Sequence, residues 1–487
     1  MILRRGAAIV LIASLPIVVA TLFARVFLDA SPATAIPYLS DEVAYWTQIA
    51  AFQVAGFHGG YTTVDERPAR AGFSHFGPHG PAFAMLYGTI ARVTGWQYHS
   101  GPIFGAVAFV LGAAAWIAIA KPARLRAALI LATFWPIVIA APNTMQEPLH
   151  FAIGALLAAL IAAVLGDAAV PRGRVWLTWG VLAVAALIRP TWALLPVGLA
   201  WQLARRRGAP TGAGLASGVA IAGVLYFAFT FLAAPYRGST LGVELAGGGA
   251  VQGAVTLLRG FGTTGELLFG HDVEPLERFY RFEVLAVAMI ATLSAVRGRD
   301  AATRRVMAVM ASTLWITIAA NLALQNTGSW RDYRATTPTL LMTVLAAAAT
   351  RERWSWGVVA AHLAVAPLAV ATFTDIQGER WGRPAPAAAI ERFAASLAGQ
   401  VRYDPALSGW GNTLLISIDS YDYALMGVPR GMGLSVRFDW EDVRAPPRSR
   451  YLVLAEPEVA VVSGRIRLRK LADTPLGALY ENPDWER

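Results

Sequence analysis

The chain has no cysteine, which excludes a disulfide framework, thiolate nucleophiles and thiolate metal sites. Charge is also scarce: Asp, Glu, Lys and Arg make up 15% of the residues, against about 25% in ordinary soluble chains. There is no internal repeat and no low-complexity tract beyond alanine-rich segments. What fills the sequence instead is apolar: 56% of residues are hydrophobic and the mean hydropathy is +0.49. Runs of fifteen to twenty-two apolar residues recur, the pattern of helices that cross a bilayer. The start, Met1 to Arg5 before an apolar run, has the shape of a signal peptide. The run reaches Phe27 without a small-residue cleavage site, so it reads as an uncleaved first span.

Spans are expected near 7–27, 101–120, 125–141, 148–166, 174–189, 190–204, 213–234, 281–296, 305–324, 335–350 and 354–373, eleven in all. Alternate connections then hold sixteen basic residues, from Arg4 and Arg5 to Arg351 and Arg353, against three acids, Asp167, Asp300 and Glu352. That is a net of +13 in a chain of +10, so everything else nets −3. The positive-inside rule places these connections, with the N-terminus, in the cytoplasm. It also removes nucleic acid as a partner despite the pI near 10.1, because the basic excess is spread over short loops. The apolar segment Pro81 to Val93 is too short to span and holds Gly88 and Arg92, so it is expected to lie at the interface.

The fold class expected is therefore a polytopic α-helical membrane domain over 1–374, with a long first outer loop at 28–100. A small α/β domain outside the membrane follows over 375–487. That last region has fifteen acids and fourteen bases, scattered, with short β-rich runs such as Leu414 to Ile418 and Tyr451 to Leu454 after a helical stretch, Ala387 to Leu397.

Candidate chemistry gathers on the outer side. Asp41 and Glu42 open a helical stretch, Val43 to Ala55, where Ser40 can cap and acids suit the helix dipole. Either acid could instead be a general base, taking a proton from an attacking hydroxyl. Glu147, before Pro148, is a helix-start acid or a second carboxylate facing the first. Arg189, wedged between two apolar runs, either snorkels to the interface or clamps a phosphate with its planar fork. Arg331 and Arg334 sit at another outer boundary, with Asp332 between them. His58, His75, His79 and Glu66 in the first loop, and His271 and Asp272 in the third, lack the tight spacing of a zinc site and read as solvated loop residues.

In this order and sidedness the residues resemble the GT-C glycosyltransferases, the membrane class that includes protein O-mannosyltransferases and the lipid A aminoarabinose transferase. The matching points are Asp41-Glu42 with Tyr45 close behind, Gly77-Pro78-His79-Gly80-Pro81, Glu147, Ile188-Arg189-Pro190, and Arg331-Asp332-Tyr333 ahead of Pro338. The resemblance implies a GT-C-like fold, with Asp41 catalytic and Glu42 and Glu147 as accompanying carboxylates. Donor phosphate would be held by Arg189, Arg331 and Arg334, and substrate by Tyr45, His79, His271 and Tyr333. The second-loop acid, usually Asp in that class, is here Glu147, and Pro78-His79-Gly80-Pro81 stands where Glu-Lys-Pro-Pro is common.

The implied activity is inverting transfer of a sugar from a polyprenyl-phosphate donor to an acceptor hydroxyl. It would occur on the outer face of a bacterial inner membrane, with a lipid, glycan or protein acceptor. No cofactor is called for, although a divalent metal is compatible with the class. Rival readings are a transporter or flippase of lipid-linked sugars, an O-antigen-ligase-like enzyme and a structural assembly protein. Transport is disfavoured because the middles of the spans look almost free of charge. The ligase reading is disfavoured because the long outer loop follows the first span.

Overall fold

The computed structural model describes residues 2–486 except 32–33, 39, 73–74, 167–169, 237–247, 260–261, 263–273, 325–335, 383–385, 408 and 441–444. Helix α1 (Ile2–Leu28) leads into the first loop, which carries α2 (Ser40–Ala55), the two-residue strand β1 (Thr63–Val64) and α3 (Pro81–Thr94). Then come α4 (Ser100–Ala120), α5 (Arg124–Thr133), α6 (Trp135–Ala140), α7 (Glu147–Gly166) and α8 (Arg172–Ile188). A 3-10 turn, Pro190–Leu194, precedes α9 (Leu195–Arg206), α10 (Thr211–Leu232) and a helix α11 at 248–259. The bundle ends with α12 (Pro275–Arg297), α13 (Ala301–Leu324), α14 (Thr337–Ala349), α15 (Ser355–Ala364) and α16 (Ala366–Gly382).

Among the described residues, α1, α4, α7, α10 and α12 are long and apolar enough to cross a membrane, and the bent pair α15–α16 makes a sixth candidate. The other expected spans fall on α5–α6, α8, α9, α13 and α14. Of these, α8, α9 and α14 have 17, 12 and 13 residues, short of the ~20 needed to span. Helix α14 is enclosed along almost its whole length. Two of its hydroxyls bond back along the chain, Thr339 Oγ1 donating to the Thr336 carbonyl at 2.7 Å and Thr343 Oγ1 to the Thr339 carbonyl at 2.8 Å. Helices α4 and α7 approach closely because α4 presents glycine at the contact: a side chain at Gly112 would strike the Ala152 backbone. The short helix α3 buries Phe83, Ala84 and Tyr87 and leaves Leu86, Ile90 and Val93 exposed.

Two helices are broken where proline removes a donor. The α5–α6 break is at Phe134, ahead of Pro136, and α15–α16 bends by 61° just ahead of Pro367. The breaks are joined to each other. His362 Nδ1 contacts the Thr133 carbonyl at 2.8 Å, and Trp135 Nε1 donates to the His362 carbonyl at 2.7 Å. Each break thus satisfies a polar group of the other. His362 Nε2 meets Glu283 of α12 at 2.8 Å, and both side chains are buried. A Glu–His pair thus sits buried in the bundle, sustained because its two members face one another, with Glu283 near the start of its expected span, 281–296.

The C-terminal region holds α17 (Pro386–Leu397), β2 (Thr413–Ser417), β3 (Gly433–Arg437), β4 (Tyr451–Leu454), α18 (Glu456–Ser463), β5 (Arg469–Thr474) and β6 (Gly477–Glu481). The sheet order is β1-β3-β2-β4-β6-β5. Strands β1, β3, β2 and β4 pair in parallel, while β4–β6 and β5–β6 are antiparallel. Side chains alternate as strand geometry requires. Leu414, Ile416, Leu434 and Val453 join the main core, and Leu415, Leu452 and Leu454 pack on Trp440 and Val462 on the other face.

The sheet takes its β1 edge from the first loop, and α16 runs through residue 374. Glu66, just past β1, accepts from Arg437 Nη2 at 2.8 Å and from Ser449 N at 2.7 Å, which fastens the loop to the C-terminal region. Glu66 is therefore not a solvated loop acid. Gly60 and Gly433 lie backbone to backbone at the seam, where a side chain at Gly60 would land on the Asn412 carbonyl oxygen and the Gly433 nitrogen.

Candidate active site

Asp41 lies in the first turn of α2, with 36% of its side chain exposed. Its Oδ1 is 3.9 Å from His79 Nε2. Tyr45, one turn along the same face, packs its ring on His79 with centroids 4.7 Å apart and meets Phe83 edge to face at 5.2 Å. His79 is thus lodged between Asp41 and Tyr45. Tyr421, from the C-terminal region, feels the same carboxylate: burial, and secondarily the Asp41 charge, pushes its phenol well above the usual range.

Glu42 is one position on and turned the opposite way, fully buried. Its Oε1 accepts from Thr144 N at 2.6 Å, and its Oε2 accepts from Tyr38 N and from Arg380 Nη2, each at 2.9 Å. Arg380 also donates to the Ile36 carbonyl, to Asn143 Oδ1 and to Gln377 Oε1, each at 2.8 Å. Glu42 faces no solvent. It ties α2, the 141–146 turn and α16 together, which is a structural duty rather than the catalytic one expected of it.

The 141–146 turn is linked to His79 by a chain of hydrogen bonds whose direction can be deduced. Trp192 Nε1, which can only donate, reaches His150 Nδ1 at 3.0 Å. His150 then carries its proton on Nε2 and donates to Gln146 Oε1 at 3.3 Å. Gln146 Nε2 donates to the His79 carbonyl at 3.1 Å. Sequence reasoning missed Gln146, His150, Trp192 and Tyr421. A lone histidine in an apolar run was the available signal for His150, and nothing marked the other three.

Beside this chain, Arg189 Nη2 donates to Glu147 Oε1 at 3.0 Å. Arg189 is extended between α8 and the 3-10 turn, and its side chain is 19% exposed against 5% for Glu147. Glu147 Oε2 is buried without a hydrogen-bond partner. A buried orphan acceptor is uncommon. Glu147 is thus the counter-ion of Arg189, and its remaining oxygen can receive a hydroxyl.

The structure brings Asp41, Tyr45, His79, Glu147 and Arg189 into one linked assembly. Arg331, Tyr333, Arg334, His271 and Asp272 lie outside the described residues. Among the described residues no three His, Asp or Glu side chains converge on a point that could hold a metal ion. His75 belongs elsewhere: its ring stacks on Tyr61 at 4.4 Å, and burial, with His58 nearby, holds its pKa at about 4.

No protein-family model and no curated protein sequence matches this chain. Among solved structures, the chain is similar to ArnT from Cupriavidus metallidurans in the apo state, with a TM-score of 0.44, 13% identity and 97% of each chain covered. It is also similar to ArnT from Cupriavidus metallidurans bound to undecaprenyl phosphate, with a TM-score of 0.42, 14% identity and 97% of each chain covered.

Proposed function

We propose that this chain is a membrane glycosyltransferase that moves a sugar from a polyprenyl-phosphate donor to an acceptor hydroxyl at the outer face of the inner membrane, with inversion. The observation that carries the reading is the presence, at the same end of an apolar bundle, of a partly exposed carboxylate on Asp41 and a partly exposed Arg189. The two are joined through His79, Gln146 and Glu147. A base and a cation are the two groups that displacement at a glycosyl phosphate needs.

In the proposed step Asp41 takes the proton of the acceptor hydroxyl as its oxygen attacks the anomeric carbon. The bond from that carbon to the phosphate oxygen breaks, and its electron pair leaves with the phosphate. The donor phosphodiester becomes a polyprenyl phosphate with one more negative charge. Arg189 lies where it can stabilise that charge, and in a site with little water such stabilisation is a large term. Glu147 orients Arg189 and offers its second oxygen to a sugar hydroxyl. His79 and Tyr45 shape the wall beside Asp41. The C-terminal region, which reaches Asp41 through Tyr421, is placed to cover or guide the acceptor. A GT-C-like arrangement, with 375–487 outside, is part of this proposal.

The test is to incubate the purified full chain in liposomes with a panel of radiolabelled polyprenyl-phosphate sugars and a membrane extract as acceptor. Release of polyprenyl phosphate with label moving to a new acceptor is expected. If no sugar yields release while the protein remains folded, the reading is wrong. A transport reading draws on the broken helices and the buried Glu283–His362 pair. It predicts movement of an intact labelled donor between leaflets without cleavage.

A further inference from the structure

A second polar site lies at the far end of the bundle from Asp41. Helix α7 begins at Glu147 and ends at Gly166, which separates the two ends by ~30 Å at 1.5 Å per residue. There the last turn of α9 and the first turns of α13 enclose a cavity of about 260 Å³, lined by Gln202, Arg205, Arg206, Arg304, Arg305 and small alanines. We infer that this cavity binds the phosphate group of an anionic phospholipid headgroup.

Four guanidinium groups line the space, and among the described residues no carboxylate does. They stay charged at any physiological pH. Two of them are fixed in place by the end of α7. Arg305 Nε and Nη2 donate to the Leu165 carbonyl at 3.2 and 2.9 Å, and Arg206 Nη1 donates to the Val164 carbonyl. Capping of this kind satisfies carbonyls that a helix end leaves over. Arg304 Nη1 donates to the Gly298 carbonyl at 3.0 Å, and Arg205 lies over the Trp201 ring at 5.6 Å. A guanidinium has five N–H donors, so Arg304 and Arg305 have others to offer. Asp300, close in sequence, accepts from Thr303 N at 2.7 Å and also feels the Arg304 charge.

Gln202 supplies an independent sign. It is 2% exposed, lines the cavity, and its Nε2 has no hydrogen-bond acceptor. Buried donors rarely go without a partner. Membrane sidedness alone explains arginines scattered on short connections. It does not explain a buried amide donor without an acceptor, set among four arginines from two helices. A tetrahedral oxyanion with several acceptor oxygens answers all of these donors at once. The site is at the ends of apolar helices, where headgroups lie, and basic pockets between helices suit anionic lipid heads. The cavity is just below the ~300–1,000 Å³ of drug-sized ligand pockets, a size for a headgroup and not for a whole lipid.

The test uses the full chain in three settings: phosphatidylcholine nanodiscs, the same with phosphatidylglycerol added, and phosphatidylcholine nanodiscs with inorganic phosphate. Unfolding midpoint and lipid retained in native mass spectra are read. Phosphatidylglycerol should raise the midpoint and be retained. Gln202→Leu and Arg205→Gln should each weaken that retention by about tenfold, the scale of one lost charge-assisted hydrogen bond. Arg172→Gln, on α8 and outside this cavity, should leave it unchanged. Stabilisation by phosphatidylglycerol alone identifies a lipid headgroup as the ligand, and stabilisation by inorganic phosphate as well identifies a phosphate site open to free anions. Equal behaviour of the wild type in all three settings would overturn the inference. So would equal loss in Arg172→Gln, which would mean diffuse attraction to the membrane. Should Arg205→Gln fail to fold, Gln202→Leu, close in size and uncharged like the original, still decides.

Discussion

Asp41 and Glu42 are neighbours of one chemical type with opposite surroundings. The sequence marks both, because two acids at the start of a helix beyond a hydrophobic span are conspicuous. It cannot separate them, since Glu42 is sealed by Arg380, a residue 338 positions away. Arg189 was legible for a similar reason: an arginine between apolar runs needs a partner. Its partner, Glu147, was seen only as a second carboxylate. For Arg189→Lys, the charge remains but the planar fork that can hold both Glu147 and a phosphate oxygen is lost. A hydrogen bond between charged groups contributes ~1.5–3 kcal/mol, so the apparent KM for donor should rise by about tenfold or more while the midpoint of unfolding changes little. Steady-state transfer at varied donor concentration checks this. An unchanged KM would mean that the guanidinium does not hold the donor. Glu283 heads the apolar run from Val284 rather than interrupting it, so the sequence signal was weak, and its partner His362 lies 79 positions on.

At the scale of elements, helices were legible wherever apolar runs were long, but the breaks at Pro136 and Pro367 were not: 125–141 and 354–373 read as single spans, and α1 carries Pro16 without a break. The strand β1 was not legible. Two residues, Thr63 and Val64, give no alternation to read, and their place is fixed by partners in β3 some 370 positions on. The junction of α2, the 141–146 turn and α16 was equally hidden, because its members are one residue from each of several distant segments. It rests on the Glu42–Arg380 pair. Removing one member of a buried ion pair typically costs ~3–5 kcal/mol, whereas replacing both by apolar groups can be close to neutral. Glu42→Gln should therefore lower the unfolding midpoint clearly, and the double variant Glu42→Leu with Arg380→Met should recover part of the loss. Per folded molecule, Glu42→Gln should keep most of its transfer rate. A stable Glu42→Gln protein without activity would return Glu42 to the chemistry.

For the whole molecule, sidedness ties the argument together. In the proposed topology the charge asymmetry of the connections has the Asp41 end outside and the arginine cavity inside. It also puts the C-terminal region, which shares a sheet with the first loop, on the Asp41 side. A reporter active only in the cytoplasm, fused after Arg487, should be silent, while one fused in the 207–210 turn should be active. The reverse pattern would invert the bundle and move the proposed chemistry to the other face. Above this stands the claim that Asp41 is the base. The measurement that tests it most directly is the single-turnover rate of sugar transfer by Asp41→Asn in liposomes, with donor binding measured on the same preparation. Asn is nearly the same shape and suits a helix start as well as Asp, but it cannot take up the proton. The account predicts unchanged folding, unchanged donor binding and a rate lowered by about 10²–10⁴; a near-normal rate with donor bound would contradict it.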